Sequence, residues 1–277
     1  MLIPNVIVDT SYTVYFTAFS TWNWYKKEFK PTIDEDNLID PMKDPEFKSM
    51  FKNRYNWNLQ RALKKVCPLQ DKKRMYFAMD GRRKDLWRNE IFPQYKISRA
   101  TKKNEFNLSG TFDYVRHTLL PELADRTGCK ILDVKGVEGD DIIATLILKK
   151  FKNESNVIIT CDHDIIQLKD YATIVNLKGE ELTTDWDSES FLLHKILMGD
   201  NSDEIPSVFP RCGPKTAEKY INNNDKLLEK LGEDPLYVEN LQRNTDLMDL
   251  RRIPDVITES ILDALKQVDE TVTFNEL

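Results

Sequence analysis

The chain has 277 residues, of which 40% are hydrophobic and 31% charged, and its formal net charge is −6. This composition is typical of one sizeable globular domain with a smaller one attached, and it excludes a disordered chain. No apolar run approaches the roughly 20 residues of a membrane helix. The N-terminus also lacks a signal peptide's basic flank. We therefore expect a cytoplasmic protein, in the host cytoplasm if the chain is viral, with no membrane partner.

The four cysteines are scattered and only three histidines accompany them, a pattern that favours free thiols over a zinc site. Short runs rich in Val and Ile alternate with helical patterns along the first two thirds of the chain. The predicted strands are Leu2 to Val8, Met75 to Met79, Lys130 to Val134, Val157 to Thr160 and Thr173 to Asn176. The predicted helices are Asn53 to Val66, Thr111 to Arg126, Asp140 to Phe151 and Ile165 to Lys169.

This alternation predicts an α/β fold with a mostly parallel central sheet and helices on both faces. We place this domain at residues 1–188. From Glu189 onward the strand pattern stops, and short helices separated by Gly, Pro and Asn predict a helical lobe over 189–277. Trp22 to Phe47 shows no clear period and is predicted to be an irregular insertion.

Acidic residues follow most of the predicted strands. Asp9 and Asp80 come directly after the first two strands, and Asp162 and Asp164 follow the fourth. Three more acids, Glu138, Asp140 and Asp141, open a helix shortly after the third strand, and Asp200 and Asp203 follow the helical run Phe191 to Met198. In a parallel sheet the carboxyl ends of the strands share one edge, which is also where such sheets bind ligands. These nine acids concentrate the negative charge, since without them 37 acids face 40 bases.

A lone Asp after a strand is usually a helix cap or a turn former. Five acidic groups at corresponding ends of elements are harder to explain in that way. Converging carboxylates repel one another unless cations compensate them, and an all-oxygen set selects Mg²⁺ or Mn²⁺ over zinc. The sequence therefore predicts a site for two Mg²⁺ ions, with Mn²⁺ as a substitute, suited to phosphodiester hydrolysis.

The ordered set of motifs resembles the 5'-nucleases of phages and bacteria, the PIN-like relatives of flap endonucleases, and most closely those of the T-even phages. The motifs are Val8-Asp9, Met79-Asp80, Tyr95-Lys96 with Arg99, Val137 to Asp141, Thr160 to Asp164, Met198 to Asp200 with Asp203, and Gly213 to Ala217. The resemblance implies 5'-3' exonuclease and flap endonuclease activity on branched, nicked or 5'-flapped DNA and RNA–DNA duplexes. RNA primer removal during replication is the implied role.

The resemblance also implies roles for single residues. Asp9, Asp80, Glu138, Asp140 and Asp162 would hold the catalytic metal, whereas Asp141, Asp164, Asp200 and Asp203 would hold or orient the second. Lys96 and Arg99 would hold the scissile phosphate, and the metal-holding Asp80 and Asp162 would be catalytic residues with them.

The basic stretch after Asp80 implies an arch near residues 82–110 that admits single strands, with Arg82, Arg83, Lys84, Arg88, Lys102 and Lys103 as nucleic-acid contacts. Such basic loops are often simply solvated, so their charge alone would not decide this role. Aromatic faces in the stretch could stack on unpaired bases.

The run Gly213 to Ala217 resembles the turn of a helix-hairpin-helix, where Gly213, Lys215 and Thr216 would bind a backbone phosphate and a K⁺ ion would sit. As a bare string it is also compatible with an ordinary helix start. Arg211 stands where the family has a glycine, the residue that permits a left-handed turn.

Two other functions are compatible with parts of the pattern. A PIN-type ribonuclease also uses clustered acids, but the length of the chain, the basic stretch and the helical lobe disfavour it. A non-catalytic DNA-junction binding protein is disfavoured by the complete acidic set, because carboxylates kept without a metal are a standing cost in stability. Replication proteins, such as a clamp or a single-strand-binding protein, are expected partners, although we find no motif for either.

Overall fold

The fold is described from a computed structural model, over residues 3–29, 39–67, 71–100 and 106–274. Five strands form one sheet in the order β3-β2-β1-β4-β5, and every neighbouring pair is parallel. The strands are β1 (Asn5–Asp9), β2 (Met75–Ala78), β3 (Lys130–Leu132), β4 (Asn156–Ile159) and β5 (Thr173–Val175). All five overlap the runs that the sequence predicts as strands, and the α/β prediction is confirmed.

The helices within these ranges connect and cover the strands. They are α1 (Thr10–Phe29), α2 (Pro45–Val66), α3 (Arg88–Ile91), α4 (Ser109–Tyr114), α5 (Leu120–Thr127), α6 (Gly139–Thr145), α7 (Ser188–Met198), α8 (Pro214–Ile221), α9 (Asn224–Gly232), α10 (Pro235–Met248) and α11 (Asp255–Phe274). Single π turns, Val115–Leu119 and Leu146–Lys150, join α4 to α5 and extend α6. Among the described helices, none is both long and apolar enough to cross a bilayer.

Each face of the sheet carries its own hydrophobic core, because successive side chains of a strand point to opposite faces. Val6 and Val8 of β1 pack with α1, α2, α4 and α5 on one face. Ile7 packs with α6 and α11 on the other face. The sheet is thus buried on both sides, which explains why its strands are continuously apolar rather than alternating.

The prediction of an irregular insertion at Trp22 to Phe47 is wrong at both ends. Its first residues complete α1, and its last three begin α2, whose cap is Asp44. Residues 30–38 lie outside the described part of the chain. Helix α1 buries Val14, Ala18 and Trp22, spaced at four residues, so its period was present in the sequence among aromatic and β-branched residues that weaken helix propensity.

Helices α7 to α10 pack around a third apolar cluster that includes Leu197, Phe209 and Leu247. This cluster agrees with the predicted helical lobe, although the boundaries at 188 and 189 remain a prediction. The lobe does not extend to the C-terminus, because Ile261 and Leu265 of α11 pack into the core under the sheet. The last helix therefore returns to the α/β domain.

Candidate active site

The carboxyl edge of the sheet brings the predicted acids together. Asp9 ends β1, Asp80 follows β2 by two residues, and Asp162 follows β4 by three. These three strands are adjacent in the sheet, with β1 in the middle. Asp140, in the first turn of α6, interacts electrostatically with the same group of carboxylates. Burial raises the pKa of Asp140 well above its usual range, and the neighbouring charges of Asp162 and Asp9 add to this effect.

Hydrogen bonds hold the first two carboxylates in place. Asp9 accepts from the hydroxyl of Thr160 (2.7 Å) and from the backbone N–H of Tyr12 (2.9 Å). Asp80 accepts from the backbone N–H of Gly139 (2.6 Å) and from the hydroxyl of Ser11. Burial, together with the nearby charge of Asp80, nevertheless raises the pKa of Asp9 to about 7. The carboxylates are therefore fixed close to one another at a cost that a bound cation would remove.

A cleft of about 430 Å³ separates this group from the acids that follow α7. Its lining includes six of the predicted acids, namely Glu138, Asp140, Asp162, Asp164, Asp200 and Asp203. Lys195 of α7 contacts the carboxylate of Asp164, and its Nζ lies 3.6 Å from Asp200 Oδ2. The lysine thus bridges two acids that belong to different segments.

Lys96 also lines this cleft, and it is only 9% exposed. Its Nζ is 2.5 Å from Glu138 Oε1 and 3.4 Å from Asp203 Oδ2. The residue has a φ of 55°, and its backbone N–H donates to the carbonyl oxygen of Asp203 (3.0 Å). Burial alone would raise the pKa of Glu138, but the charges of Lys96 and Arg88 outweigh it and lower this pKa to about 2. Glu138 is therefore a carboxylate held ionised by two cations.

Asp141 was expected to hold or orient the second metal and Arg88 to contact nucleic acid, but the structure places both differently. Asp141 is fully buried and accepts from Arg88 Nη1 (2.9 Å) and Nη2 (2.8 Å), from Trp87 Nε1 (3.0 Å) and from the backbone N–H of Glu138 (3.0 Å). With Glu138 it forms the capping box of α6. Both oxygens are thus occupied by protein donors. Arg88 is 3% exposed, so it does not reach a strand bound at the surface.

The remaining basic residues have varied positions. Arg82 and Lys84 are exposed and Arg83 is half-buried, so these three can reach a ligand at the surface. The backbone of Arg99 lies in a short helix, Ile97–Ala100, but its side chain is not described. Lys102 and Lys103, and with them part of the predicted arch, lie outside the described residues.

The predicted hairpin turn lies at the start of α8. Gly213 is its N-cap with extended backbone, Lys215 is exposed and Thr216 is half-buried. Arg211 has a φ of 60°, so an arginine adopts the left-handed conformation that glycine usually supplies. Pro214 has no N–H, and the N–H groups of Thr216 and Ala217 donate to the carbonyl oxygen of Gly213 (both 3.0 Å), so the exposed side chain of Lys215 is the group available to an anion.

The donor set fits hard divalent cations. The acidic side chains that line the cleft offer only carboxylate oxygens as ligands. Two of the clustered acids, Asp9 and Asp140, have raised pKa values, and a bound cation would lower them. Within the described ranges, no three acidic, histidine or cysteine residues form a ready-made metal cage. Mg²⁺ does not require one, since it keeps several waters and binds through one or two carboxylates and substrate phosphates.

Sequence reasoning missed several residues that contact the acids. Ser11 and Thr160 bind Asp80 and Asp9, and Lys195 bridges two acids. Gln167, three residues after Asp164, donates to the carbonyl oxygen of Asp164 (2.9 Å). Only its helical spacing from Asp164 could have indicated that Gln167 lines the cleft, since a lone glutamine is otherwise uninformative.

Comparison with known proteins gives a consistent result. Residues 54–193 match the family described as 5'-3' exonuclease, N-terminal resolvase-like domain. A 5'-3' exonuclease of Buchnera aphidicola subsp. Schizaphis graminum is 29% identical over 224 residues, which cover 77% of this chain and 68% of that protein. A thermostable DNA polymerase I of Thermus thermophilus is 31% identical over 213 residues, which cover 74% of this chain. The chain spans only 22% of the length of that polymerase.

Solved structures support the fold. The phage T5 5'-exonuclease with divalent zinc ions bound superposes with a TM-score of 0.63 at 21% identity, over 95% of this chain and 98% of that one. A phage T5 flap endonuclease in a pseudo-enzyme-product complex with DNA and metal ions gives a TM-score of 0.61 at 20% identity, with the same coverage.

Proposed function

The chain belongs to the 5'-3' exonuclease family and is a 5'-nuclease, and we propose that it hydrolyses phosphodiester bonds near free 5' ends in branched, nicked and 5'-flapped DNA and in RNA–DNA duplexes. Both exonuclease trimming and flap cleavage are included, as RNA primer removal requires. One observation carries the proposal. Six of the nine acids line one cleft with Lys96, and two of these six, Asp140 and Asp162, interact electrostatically with Asp9 at the edge of the sheet. The exposed bases Arg82 and Lys84 lie on the stretch that leads to the cleft.

The cofactor in this proposal is a pair of Mg²⁺ ions, for which Mn²⁺ can substitute. Asp9, Asp80, Asp140, Asp162 and Glu138 would hold the first ion, and Asp164, Asp200 and Asp203 the second. When bound, the ions would activate a water and stabilise the leaving oxygen of the phosphodiester. The carboxylate set supports hard cations, and the raised pKa values of Asp9 and Asp140 support the need for added positive charge. Asp141 is reassigned from ligand to support for α6, because it is fully buried and bonded to Arg88 and the N–H of Glu138, whereas Glu138 lines the cleft.

The bases would serve the substrate. Lys96 and Arg99 would hold the scissile phosphate, where the charge of Lys96 is needed as the transition state becomes more anionic. Arg82, Arg83 and Lys84, with Lys102 and Lys103, would bind the strand that enters the cleft. Arg88 has no such role in this proposal, since it is buried.

The hairpin turn would bind the duplex at a distance from the cleavage site. Gly213 and Thr216 would line the phosphate site at the start of α8, and Lys215 would supply charge. A K⁺ ion at this turn is also part of the proposal. It is supported by the left-handed φ of Arg211, which gives the turn the backbone conformation that a glycine usually supplies. A clamp or a single-strand-binding protein remains a proposed partner. The scattered cysteines, with no Cys-x-x-Cys pair, support action in the reducing cytoplasm.

The test uses 5'-labelled flap, nicked and RNA-primed duplexes with Mg²⁺, Mn²⁺ or EDTA. We expect cleavage near the 5' end with either ion and none with EDTA. Asp162→Asn should lose more than about 100-fold in rate, beyond what a supporting residue of a metal site costs, while it still binds flap DNA. Full activity in EDTA, or normal turnover of Asp162→Asn, would contradict the proposal.

A further inference from the structure

One backbone turn of the helical lobe is linked to two acid-bearing segments through the side chains of Arg88 and Gln167. Arg88 donates from Nε to the carbonyl oxygen of Leu247 (2.8 Å), while its other nitrogens hold Glu138 (2.9 Å) and Asp141. Gln167 donates from Nε2 to the carbonyl oxygen of Met248 (3.1 Å) and accepts at Oε1 from the N–H of Leu250 (2.9 Å). Residues 247–250 are therefore held from one side by Arg88 and from the other by Gln167.

The chemistry of the turn explains these contacts. Leu247 and Met248 end α10, and the last carbonyl oxygens of a helix have no partner within it. This end also carries partial negative charge, which favours a cation such as Arg88. The amide of Gln167 uses both donors and its acceptor, because Nε2 also donates to the carbonyl oxygen of Asp164 (2.9 Å).

The acid-bearing segments need such support. Asp164 lies in a short 3₁₀ helix, His163–Leu168, and this kind of helix has poor hydrogen-bond geometry of its own. On the opposite side, Glu138 is the N-cap of α6 and is bonded by Arg88. The distance between the segment that carries Glu138 and the segment that carries Asp164 is therefore set through residues 247–250 as well as through the sheet.

We propose that Arg88 and Gln167 are positioning residues that fix the two acid-bearing segments to the turn 247–250 and so set the spacing that two metal ions require. This inference rests on the proposed metal-dependent function. Neither residue needs to touch the substrate for this role. Supporting residues of this kind orient ligands, and their loss typically costs about 10- to 100-fold in metal affinity or activity.

The test replaces Gln167 with Met, which has similar length but makes none of the three hydrogen bonds. Calorimetry would measure Mn²⁺ binding to the full-length protein without DNA, and single-turnover assays would measure cleavage of a saturating 5'-flap. We expect Mn²⁺ affinity and rate to fall about tenfold or more. The affinity for flap DNA in EDTA should not change.

The matched control is Asn156→Leu. The amide of Asn156 also joins segments through backbone carbonyl oxygens, those of Phe151 (2.9 Å), Glu154 (3.0 Å) and Tyr171 (3.1 Å), but it lies at the amino end of β4, away from the cleft. This variant should melt lower than the parent and bind Mn²⁺ normally. Arg88→Lys is a second test that does not depend on folding of the Gln167 variant, because it keeps the charge and loses the planar fork.

The outcomes separate the two proposals. If Gln167→Met and Arg88→Lys melt lower but bind Mn²⁺ and turn over like the parent, both residues are merely structural and the inference is overturned. If the parent protein binds no Mn²⁺ and cleaves in EDTA, the proposed metal-dependent function fails and this inference with it. Weakened Mn²⁺ binding in both variants, but not in Asn156→Leu, would support it.

Discussion

The guanidinium of Arg88 and the carboxylate of Asp141 form a buried two-pronged ion pair, with Nη1–Oδ2 at 2.9 Å and Nη2–Oδ1 at 2.8 Å. Arg88 also binds Glu138, so one buried cation bridges the N-cap of α6 and Asp141 in its first turn. A planar guanidinium matches a carboxylate in this geometry in a way that an ammonium group cannot. The pair separates Asp141, which supports the site, from Asp140, which faces the cleft.

Asp141→Ala should therefore lower the free energy of unfolding by about 3–5 kcal/mol, because it leaves the charge of Arg88 buried with part of its compensation removed. Urea unfolding measures this change. The control is Asp263→Ala, whose ion pair with Lys266 is exposed and should contribute little to stability. A loss for Asp141→Ala no larger than for the control would mean that the buried pair does not carry this stability.

The difference between Asp140 and Asp141 shows where sequence reasoning stopped. Successive residues of a helix point about 100° apart, so two adjacent acids in its first turn cannot both face one cleft, and the sequence does not say which one does. The same limit applies to Arg88, whose charge in a basic stretch predicted an exposed contact. Neither assignment could be made without knowing that Trp87 donates to Asp141 and that Arg88 donates to the carbonyl oxygen of Leu247.

The fold was more accessible to prediction. Short apolar runs located all five strands, and the acids after β1, β2 and β4 predicted which edge carries the site. Helix α1 was missed because its aromatic and β-branched residues weaken the helical pattern. The residues of α11 were assigned to the helical lobe, whereas Ile261 and Leu265 pack under the sheet. An amphipathic helix shows that it has a buried face, but its sequence does not identify the surface that covers it.

Lys96→Ala should lower single-turnover cleavage by about 10²–10³, the cost of losing one donor to developing charge. Binding of flap DNA should change less, because Lys96 is buried beside Glu138 and Asp203. Lys84→Ala is the comparison, since this exposed lysine of the same basic stretch should affect binding and not the rate at saturation. Equal losses of rate and affinity in Lys96→Ala would reduce it to a general phosphate contact.

Lys215→Ala should weaken duplex binding and reduce the slope of log affinity against log salt by about one unit, as one lost phosphate contact predicts. Filter binding over a range of KCl concentrations measures the slope. Lys266→Ala, an exposed lysine on α11, should leave the slope unchanged. An unchanged slope in Lys215→Ala would remove the hairpin turn from the duplex interface.

Arg211→Gly should stabilise the hairpin, because the left-handed conformation costs a residue with a side chain about 1–2 kcal/mol and does not cost glycine this amount. Part of this gain is offset by the flexibility of glycine in the unfolded chain, so we expect an increase of up to about 1 kcal/mol. Arg211→Ala keeps the strain and serves as the control. If the glycine variant is no more stable than the alanine variant in urea unfolding, the φ of 60° is not strained.

The last prediction concerns Asp140, whose charge is unfavourable in the folded protein without metal. Burial and the charges of Asp162 and Asp9 hold its pKa well above the usual range. Asp140→Asn removes this charge and keeps the shape, so the metal-free variant should melt higher than the metal-free parent. Its nuclease activity should be nearly abolished, so stability and activity should move in opposite directions.

Magnesium should stabilise the folded parent, because the bound cation offsets this repulsion. Binding to the folded state alone adds about 2.7 kcal/mol at a hundredfold excess over the dissociation constant, which corresponds to a melting temperature about 5–10 °C higher for a chain of this size. Asp140→Asn should gain less from the ion, because one ligand is lost. Asp113→Asn, an exposed acid on α4, controls for net charge and should follow the parent. Thermal melts of the three proteins with and without Mg²⁺, at fixed ionic strength, measure these differences. If Asp140→Asn melts well below the parent without metal, Asp140 is a structural acceptor and the carboxylates do not repel one another as the site requires.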